Sequence, residues 1–440
     1  MIDWQEDYQR RLVSVEEAVS HIKSGDRVFF TAGRQPQALG LALASRKDDL
    51  RGVMVVVPTP DRDFGWYDRG WDESFDIVIG FGMPIVWEMM SERRCDMAIS
   101  GLTGVESAQA DAGEIDVLFL EVSPPDEHGF CSFGQSVWNK REQMMAAKLV
   151  MAEVNSRLIR TYGDNYIHVS EIDYFVEHTP SEKLPGRADL RGKAVSEPRQ
   201  EIKYIAEYVS TLIQDGDTLE IGVGTATEPL TYLGVFDKRQ DLGWHSEHTP
   251  GKIVELIRDG IFNGKCKTIN QGKAIATAVG GSREDLEFVH MNPKFELRSV
   301  NYVNNVGTIA AHDNMVAINN ALTVDLTGQI TSESIGPRMM GGTGGQLCFT
   351  IGAAFSQGGR AITVLPSTGR DGTISRIVAT LEPGTVVNVP RSLADYIVTE
   401  HGIAHLRGKT QRQRVEEMLA IAHPNFRSEL RAVARSLCWP

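Results

Sequence analysis

Two stretches of this 440-residue chain repeat one pattern of glycine, aspartate and apolar residues, and such a repeat restricts the chain to folds built from a duplicated unit. In Ile22-Lys23-Ser24-Gly25-Asp26-Arg27-Val28-Phe29-Phe30 a helical run stops at Gly25, a strand follows, and Gly33 turns the chain toward another helix. Ile213-Gln214-Asp215-Gly216-Asp217-Thr218-Leu219-Glu220-Ile221 does the same. Gly25 and Asp26 match Gly216 and Asp217, and Gly33 matches Gly224, all at an offset of 191 positions. The first copy opens through the capping pattern Ser14-Val15-Glu16-Glu17 and the second through Pro198-Arg199-Gln200-Glu201-Ile202, so both begin as helices.

Short apolar runs at Val53 to Val57, Val117 to Leu120, Ala274 to Val279 and Ala361 to Leu365 alternate with helical patterns. This spacing predicts an α/β fold: two similar domains, each a mainly parallel sheet flanked by helices. Ser181 to Lys193 is polar, holds Pro185 and Gly186 and shows no sustained periodicity, which makes it the linker. The predicted domains are therefore residues 1–193 and 194–440.

The formal net charge of -13 argues against a nucleic-acid or anionic-membrane surface, so a phosphate-bearing ligand must be held by backbone amides and a few cations. Cys95, Cys131, Cys266, Cys348 and Cys438 are scattered and lack CxxC spacing, which points to a reducing cytoplasm without disulfides or a thiolate metal site. Acidic residues follow Met1 where a signal peptide carries bases, and no apolar run reaches membrane-spanning length, so a cytoplasmic protein is expected.

Trp244-His245-Ser246-Glu247-His248-Thr249-Pro250 places one carboxylate ahead of the amphipathic run Ile253-Val254-Glu255-Leu256-Ile257. Glu247 is the candidate nucleophile, expected on the turn entering that helix, where the positive dipole end keeps it ionised. The plainer reading is a charged helix start. At the 191-residue offset its counterpart lies near Val56, and no acid follows there until Asp61, so the chemistry is kept in one copy. Gly222-Val223-Gly224-Thr225-Ala226 follows a strand and offers converging amides, but Thr227 replaces the third glycine of a dinucleotide fingerprint, and a tight turn explains it equally well. Gly341-Gly342-Thr343-Gly344-Gly345-Gln346 is denser and implies close approach to a ligand. Arg370 sits in a later turn, placed either to meet a phosphate or simply to be solvated.

Other constellations fail. Gly260 to Cys266 is one residue short of a P-loop, His401 and His405 flank a helix-weakening Gly402, and Gly134-Gln135-Ser136 lacks the second glycine of a nucleophile elbow. No metal site is expected.

Val122-Ser123-Pro124-Pro125-Asp126-Glu127-His128-Gly129, His245-Ser246-Glu247, Thr331-Ser332-Glu333-Ser334-Ile335-Gly336, the Gly341 to Gln346 loop, and Val398-Thr399-Glu400-His401-Gly402 running on to Leu406-Arg407-Gly408 occur in one order along nearly the whole chain. Together they resemble the acetyl-CoA hydrolase/transferase branch of the class I CoA-transferases, especially 4-hydroxybutyrate, butyryl-CoA:acetate and itaconate-type enzymes. The resemblance implies two domains of one α/β type with the active site between them, a glutamyl-CoA thioester on Glu247, and cytoplasmic homodimers or larger homo-oligomers. It implies oxyanion donors at Val223 and at Gly344 or Gly345. CoA contacts then fall on Gly222, Val223, Gly224, Thr225, Ala226, Gly344, Gly345 and Arg370, and Glu400 lies near the carboxylate substrate. No permanently bound cofactor is expected; coenzyme A and acyl-CoA are substrates.

This chain departs from the family at Thr227-Glu228-Pro229, near Cys348 and at His248 to Gly251, which opens the identity of the acid. Segments Thr31 to Gln37 and Pro58 to Asp63 are candidates to face the acyl group, with Arg34 or Arg62 pairing a second carboxylate of a succinate- or itaconate-like diacid. The expected activity is CoA transfer between a short acyl-CoA and a free carboxylate such as 4-hydroxybutyrate, butyrate or acetate. Acyl-CoA hydrolysis, a dinucleotide-binding dehydrogenase and a non-catalytic CoA-binding regulator remain alternatives.

Overall fold

Gly25 and Gly216 both adopt left-handed backbone, with φ of +83° and +80°, which glycine reaches without the Cβ clash of other residues. The aspartate after each folds back on the turn: Asp26 accepts the Lys23 amide at 2.7 Å and Asp217 the Gln214 amide at 2.6 Å. The repeated Gly-Asp pair is one turn built twice. Gly33 and Gly224 are not equivalent in this way, because Gly33 is left-handed at φ +92° and Gly224 is not.

The computed structural model describes residues 3–99, 114–180 and 197–437. The linker at Ser181 to Lys193, and Cys438, lie outside the described residues. The chain divides into two compact units, one of Met1–Lys193 with Thr277–Asn301 and one of Ala194–Ala276 with Tyr302–Pro440. The return of Thr277–Asn301 to the first unit has a local cause. The Val137 amide donates to the Thr277 carbonyl and the Val279 amide to Gln135, both at 2.8 Å, a pairing that linker composition does not signal.

In the first unit lie β1 (Arg27–Phe30), β2 (Val53–Val57), β3 (Phe75–Ile79), β4 (Cys95–Met97), β5 (Ile115–Val122), β6 (Ala147–Val154) and β7 (Tyr174–Glu177). They form a sheet in the order β7-β6-β5-β1-β2-β3-β4, every neighbouring pair parallel. Alternate residues supply two separate cores. Val28, Phe30, Val55 and Val57 join one apolar cluster, whereas Phe29, Val56 and Leu118 join another. Burial on both faces explains why these strands read as continuous apolar runs. Ser14 caps the helix Val15–Ser20, its hydroxyl accepting the Glu17 amide at 3.1 Å.

The second unit holds β8 (Thr218–Ile221), β9 (Gly243–Thr249), β10 (Met315–Asn320), β11 (Arg360–Val364), β12 (Tyr396–Thr399) and β13 (Gly402–His405). Their order is β13-β12-β11-β10-β8-β9, parallel except for β13 against β12. Helix Gln200–Leu212 buries Ile202, Ile205, Ala206 and Val209, an i, i+3, i+4, i+7 stripe. The repeat is visible in the topology, since β1 lies between β5 and β2 as β8 lies between β10 and β9. Register differs by two residues: Arg27 pairs with Met54, but Thr218 pairs with Gly243. That even step keeps the faces unchanged. It moves the counterpart of Glu247 from Val56 to Pro58, which is also no acid.

His245 of β9 and His312 are fully buried with ring centroids 4.8 Å apart. His245 Nε2 contacts the Val303 carbonyl at 2.8 Å, and neither nitrogen of His312 has a hydrogen-bond partner among the described residues. Burial, reinforced by the Lys267 charge, pushes His245 down to about 3, and burial with the neighbouring His245 pushes His312 down to about 2. Both rings fold neutral, so the unfolded chain takes up their protons first and stability is lost as pH falls below the unfolded value near 6.5. Between pH 7.5 and 5 the loss should be about 2 kcal/mol per ring. Urea unfolding at the two pH values should show it, and His312→Leu should flatten the acid slope.

Candidate active site

Glu247 lies within strand β9, where the sequence reading placed it on a turn into the next helix. The apolar run does form a helix, Gly251–Arg258, but Pro250 stands at its start and the carboxylate is three residues back in the sheet. The helix whose N-terminus meets Glu247 comes from far along the chain. Gly345 is the N-cap of Gln346–Phe355, and its backbone N–H donates to the Glu247 carboxylate. The Asn304 side-chain amide donates to Glu247 Oε1.

The carboxyl also does not stay fully ionised at neutral pH. Loss of water around this partly exposed residue pushes it up to about 7, with the bonds from Asn304 and Gly345 pulling the other way. Two amide donors and one helix end hold a charge that burial opposes. Glu220, 2% exposed on β8, is held well above the usual carboxylate range by burial first and by the Glu247 charge second. Asn319 donates to it at 2.9 Å.

Three of these loop glycines, Gly222, Gly224 and Gly345, have steric causes. A Cβ on Gly345 would overlap Glu247 Oε1 and come within 2.6 Å of Asn304 Nδ2. Cβ atoms on Gly222 and Gly224 would overlap the side-chain oxygens of Asn319 and Asn320. Thr227, buried where a third glycine was missing, closes the turn by donating to the Gly222 carbonyl at 2.5 Å. Val223 protrudes from that loop, 73% exposed, beside Thr225, which is also exposed, while Ala226 packs inward. Gly344 is partly exposed and leads into the helix. Glu333 frames the second loop: its carbonyl accepts the Met340 and Gly341 amides at 2.6 and 3.1 Å, and its carboxylate accepts from Thr343 at 3.2 Å and from Asn388.

Glu400 is engaged within its own neighbourhood, where the Ser367 amide and hydroxyl donate to its two oxygens at 2.8 and 2.5 Å. Arg370 stands exposed at the tip of the hairpin Thr368–Gly369 and Ile374–Ser375. Sequence reasoning missed Asn304, Asn319 and Asn320. The last two carried a signal, an asparagine pair ending the apolar run of β10, but Asn304 is an ordinary loop residue until the chain folds. Among the described residues no group of three or more His, Cys, Asp or Glu is arranged to hold a metal ion. None of their helices is long and apolar enough to cross a membrane.

Parallel α/β units, one of them carrying a desolvated glutamate against Gly345 of a glycine loop, define the class, and solved CoA-transferases share the fold. One is 4-hydroxybutyrate CoA-transferase (abfT-2) from Porphyromonas gingivalis, TM-score 0.76 and 32% identity over 99% of this chain and 100% of that one. The chain belongs to the acetyl-CoA hydrolase/transferase family, whose N-terminal domain pattern matches residues 97–183 and whose C-terminal domain pattern matches residues 281–434. It is 39% identical to the 4-hydroxybutyrate coenzyme A transferase of Clostridium kluyveri across 98% of each chain. The structure of RipA from Yersinia pestis superposes with TM-score 0.88 at 30% identity, covering all of both chains.

The Asn304 bond favours the ionised form of Glu247, so Asn304→Ala should raise its pKa by about one pH unit above the wild-type value of about 7. Carbodiimide modifies the protonated acid, and peptide mass spectrometry of Glu247 labelling against pH reads the midpoint directly. An unmoved midpoint would contradict the assignment.

Proposed function

We propose that this protein transfers coenzyme A between a short-chain acyl-CoA and a free carboxylate through a glutamyl-CoA thioester on Glu247. The observation that carries the reading is the Glu247 carboxylate held by the Asn304 amide and the Gly345 N–H. A carboxylate is a weak nucleophile, so it needs an activated acyl donor and stabilisation of the charge that develops. A thioester is such a donor. Glu247 attacks the acyl carbonyl carbon, the C–S bond breaks, and CoA leaves as thiolate from an acyl-glutamyl anhydride. The thiolate then attacks the glutamyl carbonyl, the anhydride C–O bond breaks, and the first acid departs as its carboxylate. The Glu247 thioester runs the same steps backwards with a second acid. No electrons are exchanged and no proton is consumed.

The geometry suits the second attack. When the glutamyl carbon becomes tetrahedral, its negative oxygen occupies the place of a present carboxylate oxygen, where Asn304 and Gly345 already donate. Donors fixed before the charge appears need no reorganisation. For the acyl-carbonyl step, the loop Gly222, Val223, Gly224, Thr225 and Ala226 is the proposed source of main-chain N–H groups, together with Gly344. In this reading Arg370 meets a CoA phosphate and Glu400 shapes the carboxylate end. The enzyme works as a cytoplasmic homodimer or larger homo-oligomer, with coenzyme A as substrate and no resident cofactor.

Glu247→Gln should lower exchange activity by about 10³-fold or more. Treatment of wild type with acyl-CoA and then borohydride should convert the Glu247 carboxyl to a primary alcohol in the peptide mass spectrum; an unmodified peptide refutes the covalent step. Because the nucleophile must be ionised, kcat/KM should rise with pH through about 7. Thiol release that is equally fast with and without acceptor acid would assign hydrolysis in place of transfer.

A further inference from the structure

The amide that Asn304 presents to Glu247 is fastened at one end only. Asn304 is fully buried; its Nδ2 donates to Glu247, and its Oδ1 has no hydrogen-bond partner among the described residues. The aim of that amide therefore depends on the backbone that carries it. This backbone is gripped one residue earlier, where the Val303 carbonyl lies 2.8 Å from His245 Nε2. His245 and Glu247 stand two positions apart on β9, so their side chains leave the same face of the strand. Strand β9 and the Val303-Asn304 segment are thus joined twice, once through the imidazole and once through the carboxylate.

The same ring packs against the carrier of the second donor. Phe349, fully buried in helix Gln346–Phe355, has its ring centroid 6.2 Å from that of His245. The Phe349 amide donates to the Gly345 carbonyl at 3.0 Å, so the ring that His245 meets and the N–H that Glu247 meets share one helical turn. His312 packs against the imidazole as well. A carbonyl only accepts, so Nε2 carries the ring proton, and Nδ1 is left without a partner among the described residues. Burial first and the Lys267 charge second push His245 down to about 3, which keeps the ring neutral and places it far from the pH at which a general acid or base works. Its one polar bond goes to a backbone carbonyl, and what remains for it is to hold that backbone in place.

We propose that His245 is a positioning residue for Glu247: its Nε2–H fixes the Val303 carbonyl and its ring backs Phe349, and together these aim the Asn304 and Gly345 donors at the carboxylate. The inference deepens the CoA-transfer reading, and its kinetic arm rests on that reading. Two amide side chains separate the bond from the packing. The glutamine Nε2 stands about as far along its side chain as the histidine Nε2 and can donate to Val303, whereas the asparagine amide falls short. With acetyl-CoA and butyrate, His245→Asn should lower kcat about tenfold or more and change KM less than about twofold, and His245→Gln should recover most of the loss. Unchanged kcat in His245→Asn, or an equal loss in both variants, overturns the inference. Carbodiimide labelling of Glu247 against pH needs no turnover and holds even if CoA transfer is refuted. In His245→Asn its midpoint should rise, in the same direction as in Asn304→Ala, because donors to the ionised form lose their aim; an unmoved midpoint overturns the inference. Should His245→Asn fail to fold, the wild-type protein still decides. In nitrogen-resolved NMR spectra of the isotope-labelled histidines, the ring signals absent from His245→Gln belong to His245, and near neutral pH they should show the proton on Nε2. A proton on Nδ1 overturns the inference.

Discussion

The site depends on keeping a carboxylate ionisable in a place that removes most of its water. Desolvation alone would leave Glu247 protonated, and full hydration would leave it a poor nucleophile. Asn304, the Gly345 N–H and the N-terminus of Gln346–Phe355 hold it between these limits, near 7. Much of the surrounding architecture serves that compromise. Glu333 and Asn388 shape the glycine loop so that Gly345 reaches the carboxylate, and only glycine fits there because any Cβ would overlap Glu247. Glu220, buried beside it, is pushed above the usual carboxylate range by burial first and the Glu247 charge second.

Duplication supplied two copies of one turn and strand, and the copies then diverged beyond the strand. The Gly25-Asp26 and Gly216-Asp217 turns share backbone sign and hydrogen bond. The neighbouring strands do not share a register, since β9 is shifted by two residues relative to β2. Pro58 thus stands where the second unit has Glu247. The first unit instead has Glu121 at its strand ends, accepting from Arg34 and Asn155.

The α/β class, the strand runs and the doubled turn were legible because each rests on local periodicity and on glycine and aspartate at fixed offsets. Glu247 was legible as a candidate, and the family motifs singled it out, but its setting was misread. The Ile253 to Ile257 run suggested that the next helix would stabilise it, because sequence proximity is the sole guide to which helix end a residue meets. The return of Thr277–Asn301 to the first unit was hidden for a similar reason: an antiparallel pairing with Gln135 and Val137 leaves no mark in composition.

By itself the sequence determined that the chain folds as a duplicated, mainly parallel α/β protein, and it offered Glu247 as a candidate. Each of these rests on short-range patterns that act before the chain is compact. Tertiary structure alone decided that Asn304 and Gly345, 57 and 98 positions beyond Glu247 in the chain, converge on its carboxylate and set its proton affinity. Burial and hydrogen-bond partners are properties of a packed interior, and no local pattern specifies which distant amide will arrive at a given oxygen.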